Sequence, residues 1–277
     1  MRHLPPISPF LIIVMLATGC AEFFDREIEV DALPYERQLV LTTILTPQDS
    51  LIRADVFVTA PAVGDLPPDY PTKGLVTEAR VTLVGPAGSF PFAFTASGGW
   101  RTYTLPQTEA RLKAGETYEV VAEWDGLTAR GEVLIPERNI PLDSIILQQV
   151  VEDDGDRYVQ ARWPNQVGER DYYLLYADQT YRRGGNLSPD IQRELADFLH
   201  GRDALGPYLS AAFSIRADFE NTVNVCQTTQ ATYDYLLTRG TLEVNHENPF
   251  AEPTTVANTL QEGLGLVGAA NCWQFEF

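Results

Sequence analysis

The densest set of hard oxygen ligands in the chain is Glu152-Asp153-Asp154-Gly155-Asp156, and clustered carboxylates around a glycine suit a calcium ion. The cluster lacks the alternating spacing of an EF-hand loop. Extended runs flank it on both sides, so it reads as a solvated hairpin turn. Of the histidines, His200 precedes Gly201 at the end of an apolar-periodic stretch and His246 lies in a polar turn; these places suit structural roles better than general-base work. The sequence holds no Cys-x-x-Cys pair, no Gly-x-Ser-x-Gly elbow, no His-Glu-x-x-His helix and no Gly-rich phosphate loop, and Ser89 follows Gly88 without the rest of an elbow. The reading is therefore of no catalytic residue, no metal site and no cofactor. Aromatic residues are the other chemical feature. On a strand, Tyr172 and Tyr176 share one face and Tyr173 and Tyr181 the other. One face is expected to enter a core, and Tyr172 and Tyr176 are the candidate surface for stacking on a sugar or a peptide.

A thiol with a different fate stands near the start. Basic Arg2 is followed by the apolar run Phe10-Leu11-Ile12-Ile13-Val14-Met15-Leu16-Ala17 and then by small Thr18-Gly19 before Cys20. That is the layout of a secretory signal, and the run is too short to span a membrane as a helix. Ala17-Thr18-Gly19-Cys20 resembles the lipobox of bacterial lipoproteins, which implies a signal peptide over residues 1–19 and lipidation of Cys20, with residues 20–36 as a tether. By resemblance to lipoprotein sorting rules, Ala21 in place of aspartate favours the outer membrane, and the acidic stretch after it loosely fits surface display. With Cys20 acylated, Cys226 and Cys272 remain in a compartment where disulfides persist. Two readings stay open for them: a bridge, or two buried free thiols acting as small core residues.

The chain has 277 residues and a formal net charge of −18, and removing Arg2 with the signal makes the remainder more negative still. Such a charge opposes binding to nucleic acid or to anionic lipid surfaces and favours solubility. The length left after the signal suits one large or two ordinary domains.

Short extended runs divided by turn residues begin at 37–46 and 51–60 and continue at 78–84, 90–94, 100–105, 117–124 and 127–135, a spacing that suits a sandwich of antiparallel strands. Asp125-Gly126 signals a hairpin between the last two. The Pro-rich stretch 61–74 reads as a loop long enough to bind a partner. Pro136 and Pro141 bracket a polar connector, and the domain boundary falls there, between 37–137 and 141–277. In the second half 143–151, 157–163, 171–181, 208–218 and 264–277 read as extended. Between them, Ser188-Pro189-Asp190 followed by Ile191, Leu195, Phe198 and Leu199, with Gly201 as terminator, predicts a helix. A second helix is predicted over 228–239, stopped by Gly240. The fold class expected is mainly β: an N-terminal immunoglobulin-like β-sandwich, then a second sandwich-like domain with one or two helical insertions.

Several motifs in order resemble the Bacteroidota lipoproteins catalogued as domain of unknown function 4249. They are Ala79-Arg80-Val81-Thr82-Leu83 with Gly88, Gly115-Glu116-Thr117-Tyr118 with Gly126, Ile140-Pro141-Leu142-Asp143-Ser144-Ile145, and Asp171-Tyr172-Tyr173-Leu174-Leu175-Tyr176. The strongest piece is Asn248-Pro249-Phe250-Ala251-Glu252-Pro253 followed by Asn258, Gly263 and Gly265. Leu266-Val267 departs from the aromatic residues that relatives usually carry there. The resemblance implies a two-part β protein anchored in the outer membrane and often encoded beside a TonB-dependent transporter, and it implies no reaction. The expected function is that of a non-enzymatic accessory lipoprotein that binds such a transporter or a nutrient ligand, with the 61–74 loop and the helix after Ser188 as contact surfaces. The alternatives are an envelope enzyme with an unrecognised carboxylate site and a purely structural envelope lipoprotein.

Overall fold

The computed structural model describes residues 35–61, 65–97, 100–151, 157–164, 171–183, 186–200, 207–210, 212–215, 219–245 and 255–277. One compact unit comprises 36–60 and 67–277. The other comprises 1–35 and 61–66; its described residues, Tyr35, Pro61, Asp65 and Leu66, lie in no helix or strand. Cys20, the acidic 152–156 stretch, His246 and the motif 248–253 fall outside the described residues.

The first half is built from β1 (Leu39–Leu45), β2 (Leu51–Val58), β3 (Arg80–Gly85), β4 (Gly88–Pro91), β5 (Ala93–Ser97), β6 (Trp100–Pro106), β7 (Thr117–Trp124) and β8 (Leu127–Leu134), with a one-turn helix α1 (Gln107–Ala110) between β6 and β7. Along β1 alternate residues are buried, so Leu39, Leu41 and Leu45 enter the core while Val40, Thr42 and Ile44 face the other way. The order β1-β2-β6-β5 in one sheet and β4-β3-β7-β8 in the other reproduces the A-B-E-D and C-F-G arrangement of an immunoglobulin-like sandwich. The expected hairpin joins β7 to β8: Trp124 pairs with Leu127, and Asp125 and Gly126 both take positive φ, 49° and 76°, as a two-residue type I′ turn requires. The sandwich also has its tyrosine corner. The Tyr118 hydroxyl accepts the Lys113 N–H at 3.0 Å and donates to Glu116 Oε2 at 2.7 Å, pinning the α1–β7 corner. Gly85 makes room for it, since a Cβ there would stand 2.5 Å from the Tyr118 ring.

The second half contains β9 (Ile146–Val151), β10 (Arg157–Trp163), β11 (Tyr172–Arg183), β12 (Asn186–His200), β13 (Tyr208–Leu209), β14 (Phe213–Ile215), β15 (Phe219–Thr228), α2 (Gln230–Asn245) and β16 (Leu264–Glu276). β9, β10, β13 and β14 form a small sheet. Ile145, Ala161, Trp163, Tyr173, Leu175, Tyr208 and Val225 pack between it and the β11–β15–β16 layer. The helix expected over 228–239 is present as α2 and runs past Gly240. It opens at Thr229, whose hydroxyl accepts the Thr232 N–H at 3.2 Å.

The helix predicted after Ser188 is a strand instead. β12 pairs antiparallel with β11 along nearly its whole length, with register shifts opposite Leu175/Tyr176 and Thr180/Arg182. The second shift leaves Ser188, Pro189 and Asp190 out of register as a bulge, because Thr180 pairs with Ile191 and Arg182 with Leu187. β12 is the edge strand of its sheet, where a proline at a bulge removes no ladder bond that matters. The capping signals are present, but a long neighbouring strand offers more hydrogen bonds than three turns of isolated helix.

One strand joins the halves. Residues 264–269 of β16 run parallel to β1, and residues 270–276 run antiparallel to β15. The eight-stranded sheet β12-β11-β15-β16-β1-β2-β6-β5 is therefore two four-stranded halves joined along β16. Val267 and Ala269 enter the first core, while Trp273 and Phe275 on the same face pack on the second. On the opposite face Ala270 and Cys272 meet Leu236 of α2. Ile135 belongs to the first core and Ile140 to the second, and the eight-stranded sheet runs across both.

At the splice the backbone changes partners, and buried N–H and C=O groups must be met by other means. Side chains meet them. Thr232 Oγ1 accepts the Ala269 N–H at 3.2 Å and Thr228 Oγ1 donates to the Ala269 carbonyl at 2.6 Å. Gln48 Oε1 accepts the Cys272 N–H at 2.9 Å, and Arg138 Nη1 donates to the Cys272 carbonyl at 2.8 Å. The connector is held as well: Asn271 Nδ2 donates to the Pro136 carbonyl at 2.9 Å and Trp273 Nε1 to that of Ile140 at 2.9 Å. Ahead of the splice, Asn258 Oδ1 accepts the Gly265 N–H at 2.9 Å. Gly265 has φ +122°, and a Cβ on it would stand 2.1 Å from the Leu41 carbonyl oxygen, so only glycine lets β16 settle beside β1.

Candidate functional site

The turn between β1 and β2 is tied down by Gln107, whose backbone N–H donates to the Ser50 carbonyl at 3.1 Å and whose Nε2 donates to that of Pro47 at 3.2 Å. This places Asp49 beside the splice, facing β11 and β12. There Arg193 of β12 meets two carboxylates at once. Its Nη1 and Nη2 reach Asp49 at 3.0 and 2.8 Å, and its Nε and Nη2 reach Asp178 of β11 at 2.7 and 2.9 Å. The guanidinium also lies 4.0 Å over the Tyr176 ring. Asn224 Nδ2 donates to Asp178 Oδ2 at 3.2 Å, and Gln274 Nε2 donates to Asn224 Oδ1 at 3.0 Å, so the network extends across four strands.

Burial works against the Arg193 charge, yet the hydrogen bonds it donates to Asp178 and Asp49 outweigh that and raise the guanidinium pKa further. Burial raises the Tyr176 pKa, with Arg193 partly offsetting it. Neither group exchanges a proton near neutrality. A cleft of about 190 Å³ opens beside this network, lined by Asp49, Arg53, Asp178, Thr180, Arg193 and Gln274 among others. Asp55, one inward step along β2 from Arg53, has its pKa raised by burial, with the Thr102 hydroxyl and the charges of Arg53 and Arg239 opposing.

The surface expected at Tyr172 and Tyr176 is not exposed. Tyr176 is 4% exposed, its hydroxyl 3.4 Å from Cys272 Sγ. Tyr172 is half-buried, with its ring 5.2 Å from that of Tyr233. The reason lies in the topology: β11 is an interior strand, and its sheet is covered on one face by α2 and on the other by the small sheet, so both faces are core. Tyr173, on the second face, is 1% exposed and packs edge-on to Trp163 and Tyr208. Cys226 and Cys272 are directly opposed on β15 and β16 and form a disulfide. His200 lies opposite Tyr172 at the end of β12. Among the described residues, no three His, Cys, Asp or Glu side chains are grouped to hold a metal ion, and no helix is long and apolar enough to cross a membrane.

Asp49, Asp178 and Arg193 carried no signal in the sequence. Asp49 stands 144 positions from Arg193, and Asp178 and Arg193 meet only because β11 and β12 pair, whereas the sequence predicted a helix around Arg193. What could have flagged it is charge in the middle of an apolar-periodic run.

Fold and cleft together define a mainly β protein in which an immunoglobulin-like sandwich shares its last strand with a second β layer, with a polar cleft at the splice. The chain belongs to the family described as Domain of unknown function (DUF4249), which matches residues 25–274. Among curated proteins nothing matches.

Proposed function

We propose that this protein is a lipid-anchored accessory protein of the bacterial outer membrane that binds a partner, a TonB-dependent transporter, or a nutrient ligand, and catalyses no reaction. The observation that carries the non-catalytic part is the state of the two cleft carboxylates. Hydrolytic chemistry with paired carboxylates needs one that gives up a proton and one that is free to attack or to activate water. Asp49 and Asp178 are instead both held by one guanidinium, at 2.7 to 3.0 Å. Such a site presents fixed charges and hydrogen bonds, which is what recognition uses. The anchoring part is supported by Ala17-Thr18-Gly19-Cys20 behind a short apolar run. A tethered protein meets membrane partners at high local concentration, so a modest interface suffices.

Labelled palmitate is expected to enter the wild-type chain in a bacterial host and not the Cys20→Ser variant. Mild crosslinking and affinity capture in the native organism are expected to enrich an outer-membrane barrel with the wild type. Label retained in the variant would end the anchoring assignment. A capture no richer in barrels than that of an unrelated lipoprotein would end the partnership.

A further inference from the structure

The cleft at the splice has groups that its own ion pairs leave unused. The hydroxyls of Thr180 and Thr222 and the guanidinium of Arg53 line it, and none of the three has a hydrogen-bond partner among the described residues. The Gln274 carbonyl is likewise free, because only its amide nitrogen is engaged, on Asn224. Asp49 keeps acceptor capacity, since each of its oxygens takes one hydrogen bond from Arg193 and a carboxylate offers about four lone-pair sites. Donors and acceptors thus both line one small opening.

Charge narrows what fits. Two carboxylates, Asp49 and Asp178, and two guanidiniums, Arg53 and Arg193, line the cleft, and they cancel. A cationic ligand would have to compete with Arg193 for a four-bond clamp. An anionic one would sit against two aspartates with one uncommitted guanidinium to hold it. A neutral molecule that both donates and accepts loses nothing to either. The volume of about 190 Å³ is below the roughly 300 Å³ where pockets for drug-sized ligands begin, which leaves room for a single ring.

We propose that the cleft bounded by Asp49, Arg53, Thr180, Thr222 and Gln274 binds one neutral, polyhydroxylated ring, a sugar residue, with its hydroxyls replacing water on these groups. This deepens the ligand-binding half of the proposed function and rests on it. Arg193 is a positioning residue here: it fixes the two aspartates through four hydrogen bonds.

The test is ligand-detected NMR and calorimetry on the full chain with methyl glycosides of glucose, mannose and galactose, each at millimolar concentration, with glucuronate and glucosamine as anionic and cationic rings of the same size. At least one neutral glycoside is expected to saturate, more tightly than either charged ring. Thr180→Val combined with Thr222→Val keeps shape and β-branching, and is expected to weaken that binding by about tenfold or more with the melting temperature unchanged. Gln274→Leu, at an exposed strand position, is a second variant should the first be poorly folded. No saturation by any neutral glycoside, tighter binding of glucuronate or glucosamine, or wild-type affinity in a folded variant would each overturn the assignment. Barrel capture with the wild-type chain separates the two readings: capture without glycoside binding by that chain sinks the cleft alone, and glycoside binding without capture sinks the partnership alone.

Discussion

At Tyr118 one hydroxyl joins a backbone N–H five residues upstream to a carboxylate two residues upstream; if it is removed the Lys113 N–H loses its acceptor, while Glu116 keeps its ion pair with Lys113 Nζ at 3.5 Å. Burial raises the phenol pKa to about 12, with the Glu116 hydrogen bond adding to the rise, so the group stays a neutral donor throughout the physiological range. Tyr118→Phe is expected to lower the unfolding free energy by about 1–2 kcal/mol, read as a shift in urea midpoint at constant slope; a loss under about 0.5 kcal/mol would mean that the corner is ornamental. The strand from Thr117 and the hairpin at Asp125-Gly126 were legible because their signals are local; the corner was not, because it is made by one tyrosine hydroxyl rather than by a residue pattern. The cleft was not, because Asp49, Asp178 and Arg193 converge only through strand pairing. Tyr172 and Tyr176 were misplaced for a related reason: a strand's alternation tells which residues share a face, and says nothing of whether a second layer covers it.

Among the elements, β16 is the one on which the others depend, and its disulfide to β15 tests that. Cys226 and Cys272 are 46 positions apart, and closing a loop of that size stabilises by roughly 2–4 kcal/mol, chiefly by restricting the unfolded chain. Unfolding in urea with and without reductant should therefore differ by about that amount, and superimposable curves with alkylation showing both thiols free would contradict it. The β strands with clean alternation, 78–84 above all, and the Asp125-Gly126 hairpin were readable from local pattern. β12 was not: its Ser-Pro-Asp start and terminal glycine are true helix signals, overridden because a 12-residue neighbour, β11, supplies a ladder along most of its length. β16 was read as a closing strand, but nothing in its residues announces that it changes partner between Ala269 and Ala270. The contact surfaces expected on the chain change accordingly. A helix after Ser188 no longer exists to present a face, and Tyr70 of the Pro-rich stretch packs against the first core, its hydroxyl donating to the Val58 carbonyl at 3.0 Å.

For the molecule as a whole, two cores share one strand, so neither half is self-sufficient. Residues 37–137 expressed alone lack Val267 and Ala269, which belong to the first core, and leave the β1 edge open for pairing with another chain. That fragment is expected to melt without a cooperative transition or well below the full chain, while the full chain unfolds in one step; a fragment that melts cooperatively at the full chain's temperature would show the halves to be independent. The splice also sets an order in time. A chain that emerges from a ribosome or a translocation channel from its N-terminus onward makes β1 early and β16 last, and the two must lie side by side. Until β16 has come through, the first sandwich lacks the strand that pairs with β1, so its sheet closes late. On the proposed reading, in which the chain crosses a membrane, that late closure would keep it from becoming compact too soon.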